Sequence, residues 1–164
     1  MRDIEDEVTN AKNFNDLFRL VKDIVENTLG KKRSSMMLGL SYLDPRIGAF
    51  HVVGSNVMVI NKLILDALER MNIPKEKINH YIFSILLHEY IHSLGVTDEM
   101  ETRRLTTAIA TRIFGPNHPI TIMTKAPLSQ FPGIEKFILE VEVPKGFGIK
   151  YLSDFDDENA KYYV

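Results

Sequence analysis

The sequence predicts an α+β protein, because helical and extended patterns follow one another in separate blocks. Near the N-terminus, apolar residues recur at the spacing of an amphipathic helix. They are Phe14, Leu17, Phe18, Val21, Ile24 and Val25. Extended patterns follow over residues 34–43 and 49–60, and residues 75–94 form a long helical run that is apolar on nearly every side. The predicted order is helix, two or three strands, helix, long helix, helix.

Polar residues and glycines mark the ends of the early elements. Asn13 can cap the first helix and Gly30 can end it. The first strand, over residues 34–43, ends at a turn that contains Pro45. These signals predict a helix of about four turns followed directly by the sheet.

A second extended segment covers residues 49–53 and 56–60, and Gly54 between them predicts a bend or a bulge. Asn61 then has the right position to cap a short helix over residues 62–71. The sheet is therefore expected to end where this helix begins.

The long helix is expected to end at Gly95, which favours the left-handed conformation of a helix C-terminus. Thr97 or Asp98 can cap the next helix, which should run to residue 114.

The last fifty residues are harder to interpret. Residues 120–123 and 137–143 have an extended pattern, and Glu140 and Glu142 would place one face of the second strand in water. Residues 153–159 form an acidic tail.

Bulk composition indicates one soluble domain over residues 1–164, with a core at about 13–115 and a C-terminal extension at about 116–164. The net charge of −2 gives no reason to expect a nucleic-acid partner. The absence of cysteine excludes disulfides, thiolate zinc sites and cysteine nucleophiles. Residues 1–7 do not resemble a signal peptide, and no apolar run is long enough to cross a bilayer. We therefore expect a cytoplasmic protein without a membrane partner.

The most informative stretch is His88-Glu89-Tyr90-Ile91-His92, an HExxH pattern inside the long predicted helix. Two histidines four residues apart lie on one helical face, so both imidazoles can reach a single metal ion. Glu89 lies beside them, within reach of a metal-bound water. On a helical wheel the histidines face away from the centre of the main apolar stripe. The pattern therefore predicts a metal site, with Zn²⁺ as the ion, rather than a pair of core histidines.

Catalytic zinc usually has three protein ligands and a water, and four residues can supply the third ligand. Asp98 lies six residues after His92, while Glu99 and Glu101 stand at the start of the next predicted helix. His118 is a more distant candidate. Asp98 can instead serve only as a helix cap, with Glu101 completing a capping box. The residues alone leave these alternatives open.

From His88 to Asp98 the chain reads HEYIHSLGVTD, which fits the pattern HExxHxxGxxD. This pattern resembles the metzincin signature HExxHxxGxxH in the variant where aspartate replaces the last histidine. The resemblance implies that Gly95 permits a sharp turn after the helix. It also implies that Asp98 is the third ligand, which is our preferred assignment. A metzincin would further need a methionine turn under the metal, for which Met123 is the candidate.

Residues 98–103, with the sequence DEMETR, instead resemble the glutamate helix of gluzincins. In that family a glutamate on the helix after HExxH binds the metal. The resemblance implies Glu99 as the third ligand, and Glu101 is an alternative if the two helices pack antiparallel. The linker before this helix is shorter than in most gluzincins.

The order of elements is similar to the zincin core as a whole. In zincins a backing helix and a small sheet precede the active-site helix, and an edge strand borders the cleft. The resemblance therefore implies a zincin-like α+β fold, with a small twisted sheet packed on a backing helix and a central active-site helix. The chain is similar to the minimal soluble zincin-type proteins of archaea and bacteria.

The same resemblance implies a zinc-dependent metallopeptidase that acts on a peptide or protein substrate. Zinc would activate a water, and Glu89 would act as the general base. A peptide substrate could add to the free edge expected for the strand at residues 56–60. Four residues are candidates for the donor that stabilises the oxyanion: Tyr81, Tyr42, His51 and His118.

Two other functions are open. One is a catalytically silent zincin-fold protein that binds zinc in a regulatory role, with the tail beyond Ser153 across the cleft. The intact Glu89 argues for catalysis, because a purely structural zinc needs no base. The other is that the histidines hold no metal. The sequence predicts neither the substrate nor the oligomeric state.

Overall fold

The computed structural model describes residues 3–156, and over this range the chain has an α+β architecture with seven helices and a mixed four-stranded sheet. The helices are α1 (Ile4–Thr9), α2 (Phe14–Leu29), α3 (Lys62–Arg70), α4 (Lys75–Ser93), α5 (Glu99–Phe114), α6 (Pro119–Lys125) and α7 (Ile134–Glu140). The strands are β1 (Met37–Ser41), β2 (Ala49–His51), β3 (Val57–Asn61) and β4 (Lys150–Tyr151). The predicted α+β class is thus confirmed.

The helix ends near the N-terminus form as their sequence predicts. The Asn13 side chain accepts a hydrogen bond from the backbone N–H of Asp16 at 2.8 Å, which caps α2. Gly30 ends the same helix in the left-handed conformation, with φ of +69°. The Asn61 side chain likewise accepts from the backbone N–H of Leu63, which caps α3 at the point where β3 ends.

The strands lie in the order β2-β3-β1-β4, with β1 and β3 parallel and the other two pairs antiparallel. The three predicted extended segments form β1, β2 and β3. Strands β1 and β2 are shorter than predicted, whereas β3 has the predicted length and is shifted by one residue. The bend expected at Gly54 is the turn of the β2–β3 hairpin, where Ser55 N–H donates to the Val52 carbonyl.

The expectation that residues 56–60 have a free edge is wrong, because β3 is paired on both sides. The exposed edge belongs to β2. Gly48 and Val52 use their backbone groups toward β3, accepting from Asn61 and donating to Val57. In an antiparallel pair these roles alternate along the strand. The N–H and C=O groups of Ala49 and His51 therefore point to the free edge.

Helix α4 lies at the centre of the molecule and packs against α1, α2, α5, α6 and strand β2. From residue 79 to residue 93 every side chain is buried except His88 and His92. Tyr90 is fully buried, as expected for a core tyrosine, and its hydroxyl accepts from the backbone N–H of Arg33 at 2.7 Å. The prediction that the two histidines face away from the apolar core is confirmed.

Both predictions of a C-terminal strand are wrong. Residues 120–123 belong to helix α6, and most of residues 137–143 belong to helix α7. Helix α6 packs on α4 and α5, whereas α7 packs on α3. The hydrophobic core therefore extends beyond residues 13–115, to Val8 on one side and Phe155 on the other.

The C-terminal part of the described chain packs against α2. Phe155 contacts the ring of Phe18, and the Asp156 carboxylate forms a buried ion pair with Lys22. Residues 153–156 of the predicted tail thus lie beside α2 and β1, while residues 157–159 lie outside the described residues. Among residues 3–156, no helix has the length and apolar character that crossing a membrane requires.

Candidate metal centre

His88 and His92 lie one helical turn apart on α4, with their ring centroids 4.8 Å apart. Both face the carboxylate of Glu99 at the first position of α5. His88 Nε2 lies 2.7 Å from Glu99 Oε1, and His92 Nε2 lies 2.8 Å from Glu99 Oε2. These three residues form the group of possible metal ligands found among residues 3–156, with ligand atoms within 4.8 Å of one another.

The position of Glu99 follows from the local sequence. Helix α4 ends at Ser93 with Leu94 as its C-cap, and Gly95 then reverses the chain with a φ of +106°, which favours glycine. Because the connecting segment is short, α5 begins close to the end of α4. The first residue of α5 therefore places its side chain beside the last turns of α4.

The structure places Asp98 differently from our preferred assignment. Its side chain is exposed and accepts a hydrogen bond from the backbone N–H of Glu101 at 2.8 Å, so it caps α5. The Glu101 carboxylate pairs with Arg104 on the helix surface. The geometry thus brings Glu99 to the histidines, and neither Asp98 nor Glu101.

The remaining candidate ligand, His118, has a different role and does not belong to this group. It precedes α6, and its Nδ1 accepts from the backbone N–H of Ile120 at 3.1 Å. Its Nε2 lies 3.0 Å from Glu5 on α1. His118 is therefore a helix cap that also links α6 to α1.

The hydrogen bonds of His92 suit a metal ligand. Its Nδ1 lies 2.7 Å from the Val96 carbonyl, which can only accept, so Nδ1 carries the proton. The Thr102 hydroxyl lies 3.2 Å from the same nitrogen. Nε2 then faces the Glu99 carboxylate, and a metal ion bound between the two groups would be coordinated by the Nε2 lone pair and a carboxylate oxygen. Two imidazoles and a carboxylate fit the donor set of zinc.

Burial favours the neutral, metal-binding form of His88. Desolvation lowers the pKa of its imidazole, although the nearby Glu99 carboxylate acts in the opposite direction. For Glu99 itself, burial would raise the carboxyl pKa, but His88 and His92 together lower it below its usual value. Burial thus favours the neutral form of the His88 imidazole, and the two histidines favour the ionised form of the Glu99 carboxyl.

Glu89 is buried beside this group, with 5% of its surface exposed, and its Oε2 has no hydrogen-bond partner. The pKa of its carboxyl is raised to about 7, mainly by burial; His92 opposes this rise and Glu99 adds to it. A carboxyl with a pKa near neutrality can both accept and release a proton. The unpartnered oxygen leaves it free to contact a water or a ligand.

Two cavities meet at Glu89 and Glu99. The larger cavity has a volume of about 700 Å³ and lies between the β2 edge, α4 and α6. The smaller cavity has a volume of about 250 Å³ and lies beside His51 and His92. Strand residue Ala49 lines both cavities. A chain that runs along the β2 edge would therefore pass the metal ligands between two pockets.

Two of the four oxyanion candidates lie at these cavities. Tyr81 lines the larger one, its hydroxyl is buried without a partner, and burial raises its pKa. His51 lines the smaller one, with Nε2 bonded to the Ser55 carbonyl at 2.8 Å. Tyr42 instead donates to Asp66 at 2.5 Å, and His118 caps α6.

Sequence reasoning missed two contributions to the site, those of Thr102 and Arg103, and expected a different conformation at Met123. Met123, considered for a methionine turn, lies in helix α6 and lines the larger cavity. The Thr102 contact with His92 and the presence of Arg103 in the cleft were not expected. The helical spacing of Glu99, Thr102 and Arg103 on one face of the predicted helix was the available signal.

Comparisons of the chain with protein-family models, with curated proteins and with solved structures found no match.

Proposed function

We propose that the protein is a zinc-dependent metallopeptidase with His88, His92 and Glu99 as metal ligands and Glu89 as the general base. The observation that carries this proposal is the convergence of both Nε2 atoms on one carboxylate, directly beside a buried glutamate with a free oxygen. Bound zinc would supply a water of lowered pKa and polarise the scissile carbonyl. A metal held only for structure has no need of Glu89.

The chain's own residues supply the rest of the mechanism. Glu89, with a pKa near neutrality, would take the proton of the attacking water and pass it to the leaving amine. The unpaired backbone groups of Ala49 and His51 would hold an extended peptide along the edge of the sheet. Tyr81 and His51 line the two cavities and are the remaining candidates for the oxyanion donor.

We extend the proposal to the fold family. A zincin-like arrangement fits the central α4, the backing helix α2 and the cleft-bordering edge strand β2. Within that group, a third ligand on the helix after HExxH favours the gluzincin-like form over the metzincin-like one. The helical position of Met123 favours the same choice.

The test compares wild type with Glu89→Gln, using Glu76→Gln on the exposed first turn of α4 as the matched control. Metal content is measured by elemental analysis, and hydrolysis is measured with a mixed peptide library. We expect stoichiometric zinc in all three proteins and a loss of turnover of about 10²–10⁴-fold in Glu89→Gln alone. Full turnover in Glu89→Gln would contradict the general-base role. Zinc without cleavage in wild type would favour a silent zinc-binding protein, and absence of zinc would rule out both.

A further inference from the structure

The larger cavity contains an arginine that the proposed mechanism does not use. Arg103 lies on α5 four residues after Glu99, which is about one helical turn, and its side chain lines the cavity. The side chain is 44% exposed, so a ligand can reach it. Its position places a positive charge within about 6 Å of the third metal ligand along the helix axis.

Arg103 has hydrogen-bonding capacity to spare. A guanidinium group carries five N–H donors in a planar fork. Nη1 donates to the Lys125 carbonyl at 2.8 Å, near the end of α6. Nη2 lies 3.9 Å from Glu99 Oε1, which is too far for a hydrogen bond. Within residues 3–156, Glu99 is its only ion-pair partner within 4.0 Å.

Metal binding would remove even this partner. A carboxylate that binds zinc has its charge neutralised by the ion, so Glu99 would no longer compensate Arg103. The other arginine of the cavity, Arg46, is already held in a two-pronged contact by Asp44, with N–O distances of 3.0 and 2.9 Å. Glu135 lines the cavity as well but forms no ion pair with Arg103 in the described part of the chain. Arg103 is thus the cavity's available cation.

We propose that Arg103 is the specificity-determining residue of the larger cavity and binds a carboxylate of the substrate. The carboxylate comes from an acidic side chain or from the C-terminus of the peptide, and the fork geometry suits either source. At one helical turn from Glu99, it belongs to a residue one or two positions from the scissile bond. This inference rests on the proposed peptidase function for the identity of its ligand.

The walls of the cavity define the rest of the ligand. Ile64, Ile85, Met123 and Leu128 line it, so the residue beside the carboxylate meets an apolar surface. Gly48 keeps that space open, because a Cβ there would come within 3.3 Å of Ile85 and of the Tyr81 hydroxyl. The substrate class is therefore a peptide with a bulky apolar residue next to a carboxylate.

The test measures binding rather than turnover. The zinc-loaded Glu89→Gln protein is titrated calorimetrically with four peptides of one apolar sequence, which carry either Glu or Gln beside the apolar residue and either a free or an amidated C-terminus. We expect the peptides with the recognised carboxylate to bind about tenfold more tightly, and the advantage to shrink at high salt. Loss of the tighter binding on amidation identifies the C-terminal carboxylate as the source. Loss of the tighter binding when Glu is replaced by Gln identifies the side chain.

Variants then assign the preference to one residue. In the same background, Arg103→Gln should abolish the preference and Arg46→Gln should preserve it. An absent preference in the parent protein, or an equal preference in Arg103→Gln, overturns the proposal. If Arg103→Gln fails to fold, Arg103→Lys decides, since it keeps the charge and loses the fork. A reduced preference then supports the proposal and an undiminished one overturns it.

The outcome is separable from that of the peptidase proposal. Hydrolysis by wild type without any effect of Arg103 on peptide binding would defeat the inference and leave the peptidase standing. Peptide binding that depends on Arg103 in a protein that never cleaves would support the inference and defeat the peptidase proposal.

Discussion

Two pairs of histidines on and beside α4 have almost the same composition and burial, yet only one pair is arranged to hold a metal. The candidate metal-ligand pair is His88 and His92, with side chains 14% and 13% exposed and a neighbouring glutamate on α5. The capping pair is His80 and His118, with rings 5.4 Å apart and a neighbouring glutamate on α1. His80 is 6% exposed and the His118 side chain 10% exposed, so burial does not distinguish the pairs.

The difference lies in where the ring nitrogens point. In the candidate metal-ligand pair both Nε2 atoms converge on Glu99, and Nδ1 of His92 is held by the Val96 carbonyl. In the capping pair, Nδ1 of His118 is already used as an acceptor for the end of α6, and both nitrogens of His80 have no partner. A metal needs several lone pairs directed at one point. Residue type and proximity alone do not provide that.

The largest expected effect comes from removing one histidine of each pair. His88→Gln should weaken zinc binding by more than about 100-fold, since even residues behind the ligands contribute up to that factor. His80→Gln, on the same helix, should leave zinc affinity unchanged. Competitive titration against a chelator of known affinity measures both. A loss of zinc in His80→Gln alone would mean that the two pairs have been assigned in reverse.

How far the sequence predicts this site depends on the distance along the chain between its parts. His88, Glu89 and His92 lie within two turns of one helix, so spacing alone places them together. The third ligand depends on the angle between α4 and α5, which the turn after Gly95 sets. Asp98 and Glu99 are neighbours, and sequence could not decide which of them faces the histidines and which caps the helix. The zincin assignment itself stays a proposal.

The fold shows the same division. Asn13, Gly30 and Asn61 act through local backbone geometry, and the elements they delimit form as predicted. Helix α6 was missed because Ile120, Thr121 and Ile122 favour strands by propensity. The helical start signal of His118 and Pro119 was overlooked.

Helix α7 and strand β4 were missed for related reasons. In α7 the alternation of Glu140 and Glu142 suggested a strand, whereas the spacing of Ile134, Phe137 and Ile138 fits the helix observed. Strand β4 has only two residues, and its pairing with β1 joins distant parts of the chain, which no local pattern reveals.

The next largest expected effect is a loss of stability in acid that depends on His80 of the capping pair. Burial lowers the pKa of His80 below its usual 6.5, His118 lowers it further, and Glu76 and Glu5 act against them, with a smaller lowering by Lys77. Above about pH 6.5 His80 is neutral in both the folded and the unfolded chain. Below that pH the unfolded chain binds the proton first. The free energy of unfolding should therefore fall as the pH drops from 6.5 toward the lower pKa of the folded state.

Urea unfolding with a chelator present, repeated between pH 7.5 and 5 or thereabouts, isolates this contribution as the difference between wild type and His80→Gln. The chelator removes the separate pH dependence of metal binding at the candidate metal-ligand pair. Identical pH profiles for the two proteins would show that His80 does not sense acid.

The smallest expected effect separates the two neighbouring carboxylates at the start of α5. Asp98→Ala removes the side chain that caps the helix, so it should lower the free energy of unfolding by about 1 kcal/mol and leave zinc affinity unchanged. Glu99→Gln is the matched variant one residue away, and it should lose zinc because an amide oxygen is a poor substitute for a carboxylate ligand. Urea unfolding without metal and zinc titration measure the two effects separately. The opposite pattern, with zinc lost in Asp98→Ala and kept in Glu99→Gln, would return the third ligand to Asp98. It would also require α5 to begin in a different orientation when the metal is bound, because in the present geometry the Asp98 carboxylate is committed to the backbone of Glu101.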